Sequence, residues 1–184
     1  MDKIITEIII PTIPHIQKLF DDGKIGKSEE QLMIGIISNS LQMITYHSGH
    51  SDSGKNVIIL SADSESILSS ESAAAAFRSQ NWNVFSIGDI SSSIDVLFDL
   101  ELRKLLSKTW KSKEGVMIVL VFSQTEEGLK FISDSFYSVK EKSENNLFIV
   151  LSGKTGKKVK IKGDLSASKL EDILQWSNTK YENS

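Results

Sequence analysis

Apolar residues recur at intervals of three and four between Lys3 and about Phe20, at Ile4, Ile5, Ile8, Ile9, Ile13, Ile16 and Leu19. That spacing predicts a helix with a wide apolar stripe. Pro11 and Pro14 interrupt it, which predicts either a kink or a late start to the regular part. Asp22-Gly23 then marks a turn. Ser28 followed three residues later by Gln31 has the pattern of a capping box opening a second helix. Met33, Ile34, Ile36, Ile37, Leu41 and Ile44 carry its apolar face to about Tyr46.

Beyond a polar linker of small residues, His47 to Gly54, the pattern changes to alternating strands and helices. Asn56–Ala62 is a continuous apolar run, as expected of a strand buried on both faces. Ser70–Gln80 holds an alanine run and predicts a compact helix able to lie close against a sheet. Asn83–Ile87 predicts a second strand, Asp95–Thr109 a helix, Val116–Phe122 a third strand, Glu126–Lys140 a helix and Leu147–Leu151 a fourth strand. Lys158–Ile161 reads as a short fifth strand and Ser166–Trp176 as a closing helix. This alternation predicts an α/β fold, a flavodoxin- or Rossmann-like, doubly wound parallel five-stranded sheet preceded by an N-terminal helical pair. The expected division is a helical pair over residues 1–47 and an α/β domain over residues 55–180. Ligands of such sheets sit at the carboxyl ends of the strands, so candidate chemistry belongs there.

The chain of 184 residues has 40% hydrophobic content, enough for a packed core. A net charge of −3 supplies no polybasic field, so direct nucleic-acid binding is not expected. The absence of cysteine excludes disulfides, thiolate metal sites and cysteine nucleophiles. No apolar stretch approaches membrane-spanning length and the N-terminus lacks the pattern of a signal peptide, so the expected setting is soluble and cytoplasmic.

The joint between the two predicted helices, Leu19 to Gln31, resembles the corresponding joint in cobalamin-binding domains, specifically the helical cap of cobalamin-dependent, light-sensing transcription regulators and their corrinoid-protein relatives. There the joint runs from a Trp through Gly-x-Ile to a Glu-His pair, and the Trp and His meet the upper face of the corrin. Here the Trp position holds Phe20 and the His position holds Gln31. The resemblance extends from about Glu7 to Gly153. Pro11 keeps the family's distance from the Trp position, and Gly88 and Asp95 fall where the family has Gly and Asp after its second strand. Ser123 stands where relatives have a serine near the nucleotide tail, and Ser152-Gly153 replaces a Gly-Gly pair.

The loop after the first strand departs from the family. Its Asp-x-His-x-x-Gly, whose His is the lower cobalt ligand, is replaced by Ser64, Ser66 and Ser69 when the register is counted back from Asn81, which replaces a glycine. Imidazole suits cobalt and a serine hydroxyl does not. The resemblance therefore implies a degenerate scaffold with no cofactor held through histidine, the alternatives being haem or cobalamin bound without that ligand. Each position also has a local explanation: Gln31 as a cap, Phe20 as core, the serines as turn and helix-start residues, and Gly88 and Gly153 as turn formers.

Other chemistry finds little footing. Ser152 to Lys158 imitates a phosphate loop but has Leu151 where the first glycine belongs. His47 and His50 are three apart, which suits a metal or haem, yet no further ligand completes a set, and His15 stands alone on the first helix. No nucleophile, base and oxyanion hole assemble, so an enzyme is not expected. The family's cap has four helices and this chain supplies two. Isoleucine-rich faces left uncovered predict a homodimer through about residues 4–46, or a regulatory protein presenting a similar pair. The sequence thus favours a non-catalytic regulatory module acting by dimerisation and partner docking in signalling or transcription control. No helix-turn-helix is visible, so promoter binding would need another chain. Second comes a sensor of haem, another tetrapyrrole or a small metabolite between helices and sheet. Third is a corrinoid shuttle gripping only the tail, through Ser123 and Gly153.

Overall fold

The computed structural model describes residues 2–46, 54–90, 98–110, 114–141, 146–153 and 161–184. The linker histidines His47 and His50, Asp95, and the Lys154 to Lys158 stretch lie outside them.

The N-terminal rod runs from α1 (Asp2–Ile4) through a π-helical turn (Ile5–Ile9) into α2 (Ile10–Asp21). The expected disturbance takes the form of this widened turn. Pro11 has no N–H to give to Glu7, and its ring crowds that carbonyl. The Ile10 N–H reaches back to Ile5 O, and the wider ladder accommodates the ring. α3 (Lys27–Tyr46) returns alongside. Its start differs from the expected capping box. The Glu29 carboxylate accepts the Gly26 N–H at 2.8 Å, and the N–H groups of Glu29 and Glu30 bond back to Gly26 O at 3.1 and 3.0 Å. Gly26 and Glu29 therefore do the work assigned to Ser28 and Gln31, because the chain already turns helical at Lys27.

The sheet is all parallel, in the order β2-β1-β3-β4-β5. Its strands are β1 (Lys55–Ser61), β2 (Asn83–Asp89), β3 (Val116–Ser123), β4 (Leu147–Gly153) and β5 (Leu165–Ser166). Every residue of β3 is buried, as its unbroken apolar run requires. α4 (Ile67–Ser79) and α7 (Leu170–Glu182) cover one face, and α5 (Phe98–Thr109) and α6 (Glu126–Lys140) the other. Residues alternate along the strands between the two cores: Val57, Ile59, Ile118 and Leu120 on the α4 side, Ile58, Leu60, Val119 and Val121 on the α6 side.

α4 explains how the rod attaches. Ala73, Ala74, Ala75 and Ala76 are all buried, which is what a helix packed on opposite sides needs. The sheet lies on one side, and Ile5, Ile9, Ile16, Ile37 and Leu41 of the helical pair join the same core from the other. The Ser38 hydroxyl donates to the Glu71 carboxylate at 2.6 Å across this contact.

The fifth strand falls elsewhere than expected. Of the expected Lys158–Ile161, only Ile161 is described, and it is not in a strand. Asp164 instead starts the ladder, its N–H donating to Ile149 O at 2.8 Å and its carboxylate accepting the Ile149 N–H at 2.7 Å. The two residues that follow form β5, and the closing helix starts at Leu170 rather than Ser166.

Candidate functional site

β1 and β3 are neighbours whose following connections lead to opposite sides of the sheet, and this switch point leaves a crevice at their carboxyl ends. The helical pair roofs it. Two cavities result, of about 1020 Å³ and about 310 Å³, and they share Ile13, Pro14, Ser69 and Gln124, so they form one cleft. The larger part lies between α2, α3 and the start of α4. The smaller lies over Phe122, Ser152 and Gly153, with Ser168 and Leu170 at its side. Together they span the size range of small-molecule sites.

Asp63 organises the floor. It follows β1 in extended conformation and caps the single 3-10 turn Ser64–Ser66, accepting the Ser66 N–H at 2.9 Å. Its other carboxylate oxygen accepts the Ser123 hydroxyl at 2.6 Å and the Gln124 N–H at 2.7 Å, tying the end of β1 to the end of β3. Burial pushes the Asp63 pKa up, but Ser123, Ser66 and Gln124 together outweigh it and hold the carboxyl below its ordinary value. The Ser66 hydroxyl contributes as a dipole, since its oxygen is buried and completes no hydrogen bond with any described group. Sequence reasoning missed Asp63. The usable signal was an acidic residue directly after a buried strand and three before a residue opening a helix.

Of the residues singled out from sequence, seven line the cleft. Phe20, Gln31 and Ser64 face the larger part, Ser69 faces both parts, and Ser66, Ser152 and Gly153 face the smaller. Two do not. Gly88, with φ +82, lies inside β2 where the pairing with β1 slips by one residue, and it borders neither cavity, so it serves a bulge and not the expected turn. Ser123 is fully buried and committed to Asp63 and to the Thr125 N–H at 3.1 Å, and it lines neither cavity. Gly153 has a structural duty as well: a Cβ there would sit 1.7 Å from Ser123 O.

Among the described residues, the walls of the cleft carry no imidazole that could serve a cobalt or haem iron. His15, the one described histidine, is exposed on α2 and lines neither cavity. Among the described residues no group of three or more metal-ligating side chains comes together. No described helix is long and apolar enough to cross a membrane.

No protein-family profile matches the chain, and no curated protein matches it. Solved structures do. The chain is similar to the Methanosarcina barkeri monomethylamine corrinoid protein, with 13% identity over 99% of this chain and 83% of that one and a TM-score of 0.67. It is also similar to a cobalamin-binding protein from Desulfitobacterium hafniense DCB-2, with 14% identity over 91% of this chain and 77% of that one and a TM-score of 0.49. At 13% identity the first of these likenesses is one of fold: the chain shares the architecture of that corrinoid protein.

Proposed function

We propose that this chain is a non-catalytic regulatory module that works by association through its N-terminal helices, on a cobalamin-binding-like scaffold without the histidine that grips cobalt. The observation that carries this reading is the two-sidedness of the helical pair. Its inner face packs on α4, while its outer face leaves Leu32, Ile36 and Met43 exposed at 66%, 57% and 68%, with Ile4 and Ile8 at 50% and 61%. Positions 32, 36 and 43 fall on one stripe of α3. A grouped apolar face of this kind favours burial. A second copy related by a two-fold axis presents the same stripe and completes a four-helix bundle. The floor supports a non-catalytic role, since the hydroxyl nearest its carboxylate, Ser123, is sealed away from the cleft.

Sedimentation or light scattering at micromolar concentration tests it. The expected mass is twice that of one chain, and Leu32→Glu with Ile36→Glu gives a folded monomer because both side chains are exposed. A monomeric wild-type protein overturns the reading, whatever other regulatory partner it meets.

A second reading, a ligand sensor, is favoured by the continuous cleft and by the uncompleted Ser66 hydroxyl at its smaller end. A visible spectrum after adding hydroxocobalamin or haemin addresses it, and a chromophore retained at one equivalent would place it first.

A further inference from the structure

We infer that the larger part of the cleft binds an organic cation, held between the Glu30 carboxylate and the Phe20 ring, where the Lys27 ammonium now sits. Lys27 Nζ lies 2.6 Å from Glu30 Oε2 and 5.0 Å from the centroid of Phe20. All three residues line the cavity.

The pair is lopsided. The Glu30 side chain is 4% exposed, whereas the Lys27 side chain that neutralises it is 64% exposed. A carboxylate withdrawn from water needs a cation, and the first turn of α3 adds only a partial positive charge. The ammonium supplying it stands on a flexible stem that water solvates readily. Lys27 can therefore swing out without leaving anything buried behind it, provided another cation takes its place. A carboxylate beside an aromatic face is the arrangement that holds alkylammonium groups, through charge on one side and the ring quadrupole on the other.

The remaining walls agree in sign. Asp21 and Glu65 face the same cavity against one further lysine, Lys18, while Glu71 is engaged by Ser38. Lys27 is thus a tethered occupant that a free cation displaces. The site does not depend on association through the outer helix face, and its test reads separately from molecular mass.

Calorimetric titration of the full chain with choline, and with its uncharged isostere 3,3-dimethylbutan-1-ol, tests the inference. Choline binds and the isostere binds at least about tenfold more weakly. Lys27→Ala, an exposed position, removes the competitor and tightens choline about tenfold. The same variant loses thermal stability, and choline restores it. Phe20→Leu weakens choline several-fold, and Glu30→Gln abolishes it. Equal binding of the uncharged isostere, or a Lys27→Ala protein that binds choline no better than wild type, overturns the proposal.

Discussion

The Asp63 carboxylate accepts the Ser123 hydroxyl at 2.6 Å, joining two neighbouring strand ends that lie 60 residues apart in the chain. The same oxygen takes the Gln124 N–H, and the other takes the Ser66 N–H. One side chain therefore fixes the spacing of β1 and β3, starts the turn into α4 and sets the floor of the cleft. Asp63→Asn puts an amide donor among three donors, and it is expected to cost about 1–2 kcal/mol at neutral pH. The pH dependence follows from the depressed folded-state pKa. The stabilisation is complete above the ordinary value of 3.8 and disappears as pH falls through the lower folded value. Denaturant titrations of both proteins should show a constant gap near neutrality that closes below pH 3.8. A gap that persists in strong acid means that the charge is not what matters.

Gly153 and Gly88 both hold positive φ near strand ends, +150 and +82, yet their surroundings differ. An added Cβ at Gly153 meets Ser123 O at 1.7 Å, whereas at Gly88 nothing lies within 4 Å. Gly88→Ala should cost only backbone strain, about 1–2 kcal/mol. Gly153→Ala must also push β4 away from β3, for roughly 3–4 kcal/mol in all. Thermal unfolding of the two variants gives the order, and equal losses would show that β4 yields without cost.

Asn81 has φ +64 just past the end of α4. The Trp82 N–H bonds to Phe77 O and the Asn81 N–H to Arg78 O, the paired bonds of a Schellman ending. The rings of Phe77 and Trp82 meet edge to face at 5.2 Å and seal it. Asparagine tolerates the left-handed conformation but glycine adopts it without strain. Asn81→Gly is therefore expected to stabilise the protein by about 0.5–1 kcal/mol in equilibrium unfolding. A loss instead would mean that the asparagine side chain makes a contribution of its own.

What the sequence made legible divides along a physical line. The third and first strands could be read because burial on both faces leaves Val116–Phe122 and Val57–Leu60 as unbroken apolar runs. Glu126–Lys140 matched end to end because Thr125 caps it, accepting the Gly128 N–H at 3.2 Å. β5 could not be read, since two residues carry no periodicity and the strand is set by the Asp164 bonds to Ile149. The α3 start was placed one cap too late because Ser28 imitates the signal that Gly26 and Glu29 carry. Of the candidate positions, Phe20, Gln31, Ser64, Ser66, Ser69 and Ser152 stand on the walls of the cleft, while Ser123 is turned into the core. Asp63 escaped because only its cap on the Ser66 N–H is local, whereas its bonds to Ser123 and Gln124 are made across the sheet.

The register after β1 decides where an imidazole could be restored, and the structure separates two adjacent positions. Ser66 is 1% exposed and borders only the smaller part of the cleft, so Ser66→His crowds a ring into that part and is expected to cost about 1–3 kcal/mol without placing an imidazole in the larger part. Glu65 is exposed on the wall of the larger cavity, in the same 3-10 turn that Asp63 caps. Glu65→His therefore presents an imidazole to the cleft with little change in stability, and imidazole is the group that suits cobalt. Titration with hydroxocobalamin followed in the visible should show at least about tenfold tighter binding for Glu65→His than for Ser66→His. The reverse order would return Ser66 to the histidine position of the resemblance and require the turn after β1 to open when a corrin enters.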